Sequence, residues 1–226
     1  MQTHSCSETV FFADVAQHQM SILRDDGLHR HVRFKTPGTS SSYFDLITWP
    51  GKLCVDGDMG TYVFSRIEDM FEFFRVCDPR AGDSLSLQIN PSYWGEKLDS
   101  IDKRCGFREF SMDIFRHRVK ESYERWVEEN SPVQGTAARD LLEEIEVELD
   151  MCSDVSDCMS MMRDFSHDLT GFTFEDIWGE SCEQFSFHYV WSCYAIAWGI
   201  RLYDESKAAS TKLLYEDAAA VAGLIP

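Results

Sequence analysis

The chain has 226 residues, 44% of them hydrophobic and 13% aromatic, with 39 acidic against 21 basic side chains and a formal net charge of −18. That length can bury one large core or two small ones, and the apolar fraction excludes global disorder. A pI near 4.6 argues against direct binding to nucleic acid or anionic membranes, whose phosphates call for Lys and Arg, and favours basic protein partners or simple solubility.

Taken in order, Met1–Gln19 is polar and mixed, with Val10–Phe12 as a short edge element. From Met20 the pattern becomes strand-like. Met20–Leu23 runs into the turn Asp25-Asp26-Gly27, and His29–Lys35 alternates as a half-buried strand does. Tyr43–Thr48 closes at Trp49-Pro50-Gly51, Lys52–Val55 follows, and Asp56-Gly57-Asp58-Met59-Gly60 turns into Thr61–Ser65. These connections are too short for crossover helices, so the reading is an antiparallel meander of about four strands.

Helical spacing then takes over. Ile67–Arg75 places Ile67, Met70, Phe71 and Phe74 on one face, Asp78–Asp83 is a loop, and Asn90-Pro91 opens a short helix through about Asp102. Phe107–Asn130 reads as a long amphipathic helix with Phe110, Ile114, Val119, Tyr123 and Trp126 as its core stripe. Thr136 caps a helix over Ala137–Met151, whose Leu141, Leu142, Ile145 and Leu149 form an apolar seam. Val155–Phe165 is helical with a Met-rich face (Met159, Met161, Met162), Gly171 and Gly179 bracket a short acidic piece, and Ser181–Tyr203 is the last main helix, followed by a weaker Ala-rich tail over Ser206–Pro226. Strands first and helices after predict an α+β fold, the N-terminal meander packed on a C-terminal helical bundle. Its parts are a mainly β subdomain over 1–106 and an acidic helical subdomain over 107–226, integrated as one domain, with the last helix as central pillar.

Eight scattered cysteines form no CxxC pair, and the closest two, Cys152 and Cys158, stand six apart. A chain this large needs no disulfide scaffold, so a reducing cytosol with buried free thiols is expected. Met1–Ala13 lacks the basic and apolar regions of a signal peptide. Phe185–Tyr203 is interrupted by Ser186, His188 and Ser192 and ends at Arg201, which makes it a core helix rather than a membrane span.

The imbalance of charge is local. Glu128–Glu183 holds sixteen acidic side chains against Arg139 and Arg163, a net −14. Asp140, Glu144 and Glu148 recur at i, i+4, as do Glu146 and Asp150. Each like-charged pair costs an isolated helix roughly 0.2–0.5 kcal/mol. Carboxylates in rows about 5–6 Å apart, spread over several helices, approach the charge density of DNA, which carries one charge per about 1.7 Å of axis. The expected partner surface therefore comprises Asp140, Glu143, Glu144, Glu146, Glu148, Asp150, Asp154 and Asp157.

Other motifs carry less. His29 and His31 share a strand face but lack a third metal ligand. Asp56–Gly60 lacks the fifth and twelfth ligands of a calcium loop and reads as a hairpin turn. Cys182, His188 and Cys193 on an apolar helix read as packing, and His167-Asp168 has no nucleophile elbow beside it. No phosphate-binding loop, dinucleotide fingerprint, zinc-protease or hydrolase signature is present, so no catalytic residue, metal or cofactor is assigned.

Two stretches carry a resemblance: Asp26–Arg75, which contains HRHVRFKTPGTSSSYFDLITWPGKLCVDGDMGTYVF, and Phe187–Asp204, FHYVWSCYAIAWGIRLYD. Both resemble a family of uncharacterised proteins of tailed bacteriophages and prophages. The resemblance covers nearly a third of the chain and leaves the acidic middle unmatched. It implies only a setting, an accessory phage product at work in the host bacterial cytoplasm. Setting and charge together predict a non-enzymatic inhibitor, of the anti-CRISPR or anti-restriction kind. It would dock a DNA-mimicking acidic surface onto a basic host protein or nucleoprotein complex, itself binding neither nucleic acid nor membrane, with homo-oligomerisation an open option. The alternatives are a phage enzyme or metabolite-binding protein with a pocket between sheet and bundle lined by His29, His31 and Asp58, and an interaction adaptor with merely soluble acidic flanks.

Overall fold

The computed structural model describes residues 6–75, 86–130, 135–174 and 182–221, with side chains through Leu213. Its first half is an α+β unit built on one antiparallel meander. Strands β1 (Gln19–Asp26), β2 (His29–Lys35), β3 (Tyr43–Trp49), β4 (Lys52–Gly57), β5 (Gly60–Ser65) and β6 (Leu98–Ser100) lie side by side in sequence order. The turns set the register. Pro50-Gly51 links Trp49 to its partner Lys52, and Gly51 sits at φ +79°, the left-handed position that follows Pro in a type II turn.

The sheet has six strands, not about four. The short helix opened by Asn90 and Pro91 ends early, as α3 (Pro91–Gly95), and the chain then adds β6 to the free edge of β5. A three-residue strand has too few positions to show an alternating pattern, so its formation rests on pairing with Val63 and Phe64. Val10–Phe12 is not an edge element either. It lies inside helix α1 (Glu8–Val15), capped by Ser7, whose Oγ accepts from the Val10 amide.

One face of the sheet is buried. Val32, Phe34, Phe44, Leu46, Leu53, Val55, Tyr62 and Phe64 point to it, and helix α7 (Phe187–Val221) lies across them through Tyr189, Trp191, Ile196 and Ile200. A run of aromatics locks this layer: Phe34 stacks on Phe44 at 4.6 Å between ring centres, and Phe44 meets Trp191 edge-on at 5.5 Å. Helices α1, α3 and α2 (Met70–Arg75) also pack with α7. Arg30 of β2 clasps Asp69 in a bidentate pair at 2.8 and 2.9 Å and lies over the Phe71 ring, which ties the entry of α2 to the sheet.

The chain divides into two compact units, Met1–Arg108 with Phe185–Pro226, and Glu109–Gln184. This differs from a split at 106/107, because the last helix carries the apolar face that completes the core over the sheet and so belongs with the first unit. The predicted helix over Phe107–Asn130 begins later. Arg108–Phe110 is strand β7, pairing with β8 (Glu183–Phe185), and helix α4 (Met112–Glu129) starts after the cap Ser111. Likewise α7 begins at Phe187 rather than Ser181, and it runs unbroken to Val221 through most of the expected tail.

The second unit has its own core. Helices α4, α5 (Gly135–Met151) and α6 (Val155–Asp164) contribute Phe115, Val119, Leu141, Ile145, Leu149, Cys158 and Met161, with Phe165, Phe172 and Phe174 from the segment after α6. Thr136 lies inside α5 rather than capping it. The loop expected at Asp78–Asp83 and the acidic residues Glu175, Asp176 and Glu180 lie outside the described residues.

Candidate functional site

Between Glu109 and Gln184 the sequence carries twenty Asp and Glu against six Lys and Arg, a net −14. Local geometry decides how that charge is spent. Leu141, Ile145 and Leu149 turn one stripe of α5 inward, so the other positions must face outward on its two flanks. With 100° per residue, Asp140, Glu144 and Glu148 fall in a row on one flank, while Glu143, Glu146 and Asp150 fall on the other.

The two flanks differ in compensation. On the second, Glu143 faces Arg139 at 3.5 Å and Asp150 faces Arg116 of α4 at 3.3 Å. On the first, Glu144 and Glu148 face α6 across a groove of about 440 Å³. Asp157 and Asp164, seven residues apart and so on one face of α6, form the other rim. The floor is Cys152, Met161 and Phe165, with Ser160 and Ser166 beside them. Met151, 72% exposed, stands at the edge.

Some of these carboxylates also hold the local fold. Asp154 caps α6 by accepting from the Ser156 and Asp157 amides at 2.7 and 3.0 Å. Asp157 accepts from the Ser153 hydroxyl and amide, which keep its carboxyl below the usual range. Arg163 forms a bidentate pair with its neighbour Asp164 and lowers that carboxyl too. Behind the rim, Nε2 of the buried His167 lies 3.6 Å from Glu144, and its Nδ1 meets the Thr170 hydroxyl at 2.7 Å. Of the eight expected partner-binding residues, the structure therefore brings Glu144, Glu148 and Asp157 to the groove. Asp140 continues the Glu144–Glu148 row, Asp154 caps the neighbouring helix, and Glu143, Glu146 and Asp150 look elsewhere. Asp164 belongs to the rim and was not among the eight. Its seven-residue spacing from Asp157 was the signal.

Exposed apolar side chains accompany this acidity. Val147, Met151, Val155, Met159 and Leu169 are all solvent-facing, Leu169 at 76%. Of these, Met151 lines the groove, and methionine adapts to partners of varied shape.

The histidine pocket does not form as expected. His31 points to the open sheet face, where its Nε2 stands 3.1 Å from Asp45, which accepts two hydrogen bonds from Arg33 at 2.8 and 2.6 Å. Burial opposes ionisation of Asp45, but the bonds from Arg33 and His31 outweigh it and hold the carboxyl below the usual range. Asp58 instead lines a separate cleft of about 300 Å³ with Asp14, His18, Ser42, Tyr43 and Trp191. There Asp58 accepts from the Ser42 and Tyr43 amides, the Trp191 indole donates to Asp14 at 3.1 Å, and Thr36 Oγ1 stands 3.4 Å from His18 and 3.1 Å from Ser42 Oγ. Ser42 sits at φ +64°, a conformation that non-glycine residues seldom adopt away from a constrained site. Burial pushes the His18 ring below its ordinary value against the opposing pull of Asp58 and Asp14.

Among the described residues no group of three or more His, Cys, Asp and Glu is placed to hold a metal ion, and no helix is long and apolar enough to cross a membrane. No protein-family model, curated protein or solved structure matches the chain.

Proposed function

We propose that the protein is a non-enzymatic binding protein whose acidic groove captures a basic, partly apolar segment of a protein partner. The observation that carries this reading is the groove itself: carboxylates on both rims, a floor of Cys152, Met161 and Phe165, and the exposed Met151 at its edge. A cationic amphipathic segment satisfies both features at once, with Lys and Arg reaching the rims and an apolar face covering the floor. The row from Asp140 to Glu148 spans only about 12 Å, which suits one or two helical turns of a partner better than a long duplex-like track. Basic segments of this kind are typical of proteins that handle nucleic acids, and the phage resemblance supplies the setting. The partner class is thus a host defence or nucleic-acid-handling complex, inhibited by occupancy of its basic surface.

A labelled amphipathic peptide with Lys and Arg on one face and Leu and Met on the other tests this by fluorescence anisotropy. Binding is expected to weaken steeply with added salt and to vanish in the Glu144→Lys, Glu148→Lys double variant, while His29→Ala, His31→Ala binds as the native chain does. Salt-independent binding, or an undiminished affinity in the double variant, refutes the reading. A pull-down from host lysate with the same variants then identifies the natural partner.

The cleft at Asp58 favours a second reading, a metabolite-binding protein, because it gathers two carboxylates, a histidine and an indole around a strained serine. Ligand-induced thermal stabilisation lost in Asp58→Asn or His18→Ala would support it; stabilisation that survives both substitutions would exclude it.

A further inference from the structure

The floor of the groove is unusual in its chemistry. Cys152 Sγ lies 3.8 Å from Met161 Sδ, and Cys158 Sγ lies 3.9 Å from Met112 Sδ. The thiols of Cys152 and Cys158 are close enough for each to perturb the other's ionisation. Four sulfurs therefore run in sequence, Met112–Cys158–Cys152–Met161, drawn from α4, α6 and the end of α5. None of the seven described cysteines forms a disulfide.

From this arrangement we infer a binding site for a soft monovalent metal ion, Cu(I) in the first instance, held by the Cys152 and Cys158 thiolates and completed by the Met161 and Met112 thioethers. Three points support the assignment. Thiolate and thioether together are the donor set that selects Cu(I) over the harder divalent ions. Two sulfurs bound at about 2.3 Å to one ion stand roughly 3.8 Å apart in a tetrahedral site and roughly 4.0 Å apart in a trigonal one; the Cys152–Met161 and Cys158–Met112 pairs already hold that spacing, and binding draws the two pairs onto one ion. There is also an entry path. Cys152 and Met161 line the open groove, whose rim carboxylates Glu144, Glu148, Asp157 and Asp164 concentrate cations at its mouth. Binding displaces the two thiol protons and the bond from Cys152 Sγ to the Glu148 carbonyl.

The site shares Cys152 and Met161 with the floor of the groove, and it is tested without any partner. The full reduced chain is titrated anaerobically with Cu(I) against a chromophoric Cu(I) chelator. The native protein is expected to withhold one equivalent more than the Cys152→Ser, Cys158→Ser variant. The Met112→Leu, Met161→Leu variant keeps side chains of similar volume and so retains the packing. It is expected to bind that equivalent at least tenfold more weakly, with an unchanged circular dichroism spectrum in the metal-free state. Equal stoichiometry in the native and serine proteins overturns the site and leaves a cluster that only fills the core. An unchanged affinity in the leucine variant overturns the four-sulfur centre. A further check uses Ag(I), which is redox-inert here. One equivalent should raise the melting temperature of the native chain and not that of the serine variant, and equal shifts would count against the assignment.

Discussion

Helix α7 crosses the sheet at Gly199, and the closeness of that approach can be measured. A Cβ placed there would stand 2.7 Å from Leu46 Cδ1 and 3.0 Å from Phe34 Cε2, both side chains fully buried. Ordinary carbon contacts fall at about 3.5–4.0 Å, so Leu46 would have to give by nearly 1 Å against a stacked aromatic layer. Such overpacking costs about 1–3 kcal/mol, while replacing glycine by alanine in a helix returns about 1 kcal/mol. Gly199→Ala should therefore be destabilising by about 0–2 kcal/mol, despite its better helix propensity. Leu46→Ala alone removes a buried side chain and costs about 2–5 kcal/mol, but it also removes the nearest obstructing atom and leaves only the Phe34 ring edge to give way. With Leu46→Ala already present, Gly199→Ala should become less destabilising or turn stabilising by up to about 1 kcal/mol, a coupling of up to about 3 kcal/mol between the two sites. Urea unfolding of the four proteins of this cycle reads the coupling. If Gly199→Ala stabilises equally in both backgrounds, the helix does not approach the sheet as described.

Acid should weaken the first unit. The bonds from Lys207 and Tyr203 lower Asp25, the Arg30 guanidinium lowers Asp69, the amides of Cys105 and Arg104 lower Asp102, and Arg33 with His31 lowers Asp45 against its burial. Because these carboxyls ionise below their unfolded value of about 3.9, their contribution is complete above about pH 5 and is lost as the pH falls through the folded values. Melting temperature should therefore drop between pH 5 and pH 2.5, and Asp45→Asn should flatten that limb; a pH-independent melting temperature would refute the assignment. In the second unit, Asp154→Ala removes the cap of α6 and should cost about 1 kcal/mol in urea unfolding, whereas Asp154→Ser should lose only a few tenths. An alanine variant as stable as the native chain would show that the cap contributes nothing.

The meander was legible because β2 to β5 are long enough to alternate and because turns that local chemistry specifies, Asp-Gly, Pro-Gly and Gly-x-x-Gly, join β1 to β2, β3 to β4 and β4 to β5. Leu141, Ile145 and Leu149 were legible for the same reason, a seam with one period sustained over two turns. Strands β6, β7 and β8 were not, since three residues cannot show a period and their pairing partners lie far along the chain. Helix α1 was missed although Ser7 is a readable cap, because mixed apolar and polar residues around Phe11 and Phe12 give it no strong amphipathic face. The acidity itself was plain in the sequence, but its division was not. Whether a carboxylate lines the groove, meets an arginine or caps a helix depends on where α4 and α6 lie, and composition holds no record of that. The sulfur string was hidden for the same reason, because 46 residues separate Met112 from Cys158.

The pairing of β7 with β8 has an architectural consequence. Seventy-odd residues with their own apolar centre depart from the sheet-bearing unit and rejoin it at neighbouring points of one small ribbon. A passage bounded in this way behaves as a cassette. The meander completes β1 to β6 before β7 begins, so its register is set without any residue of this passage.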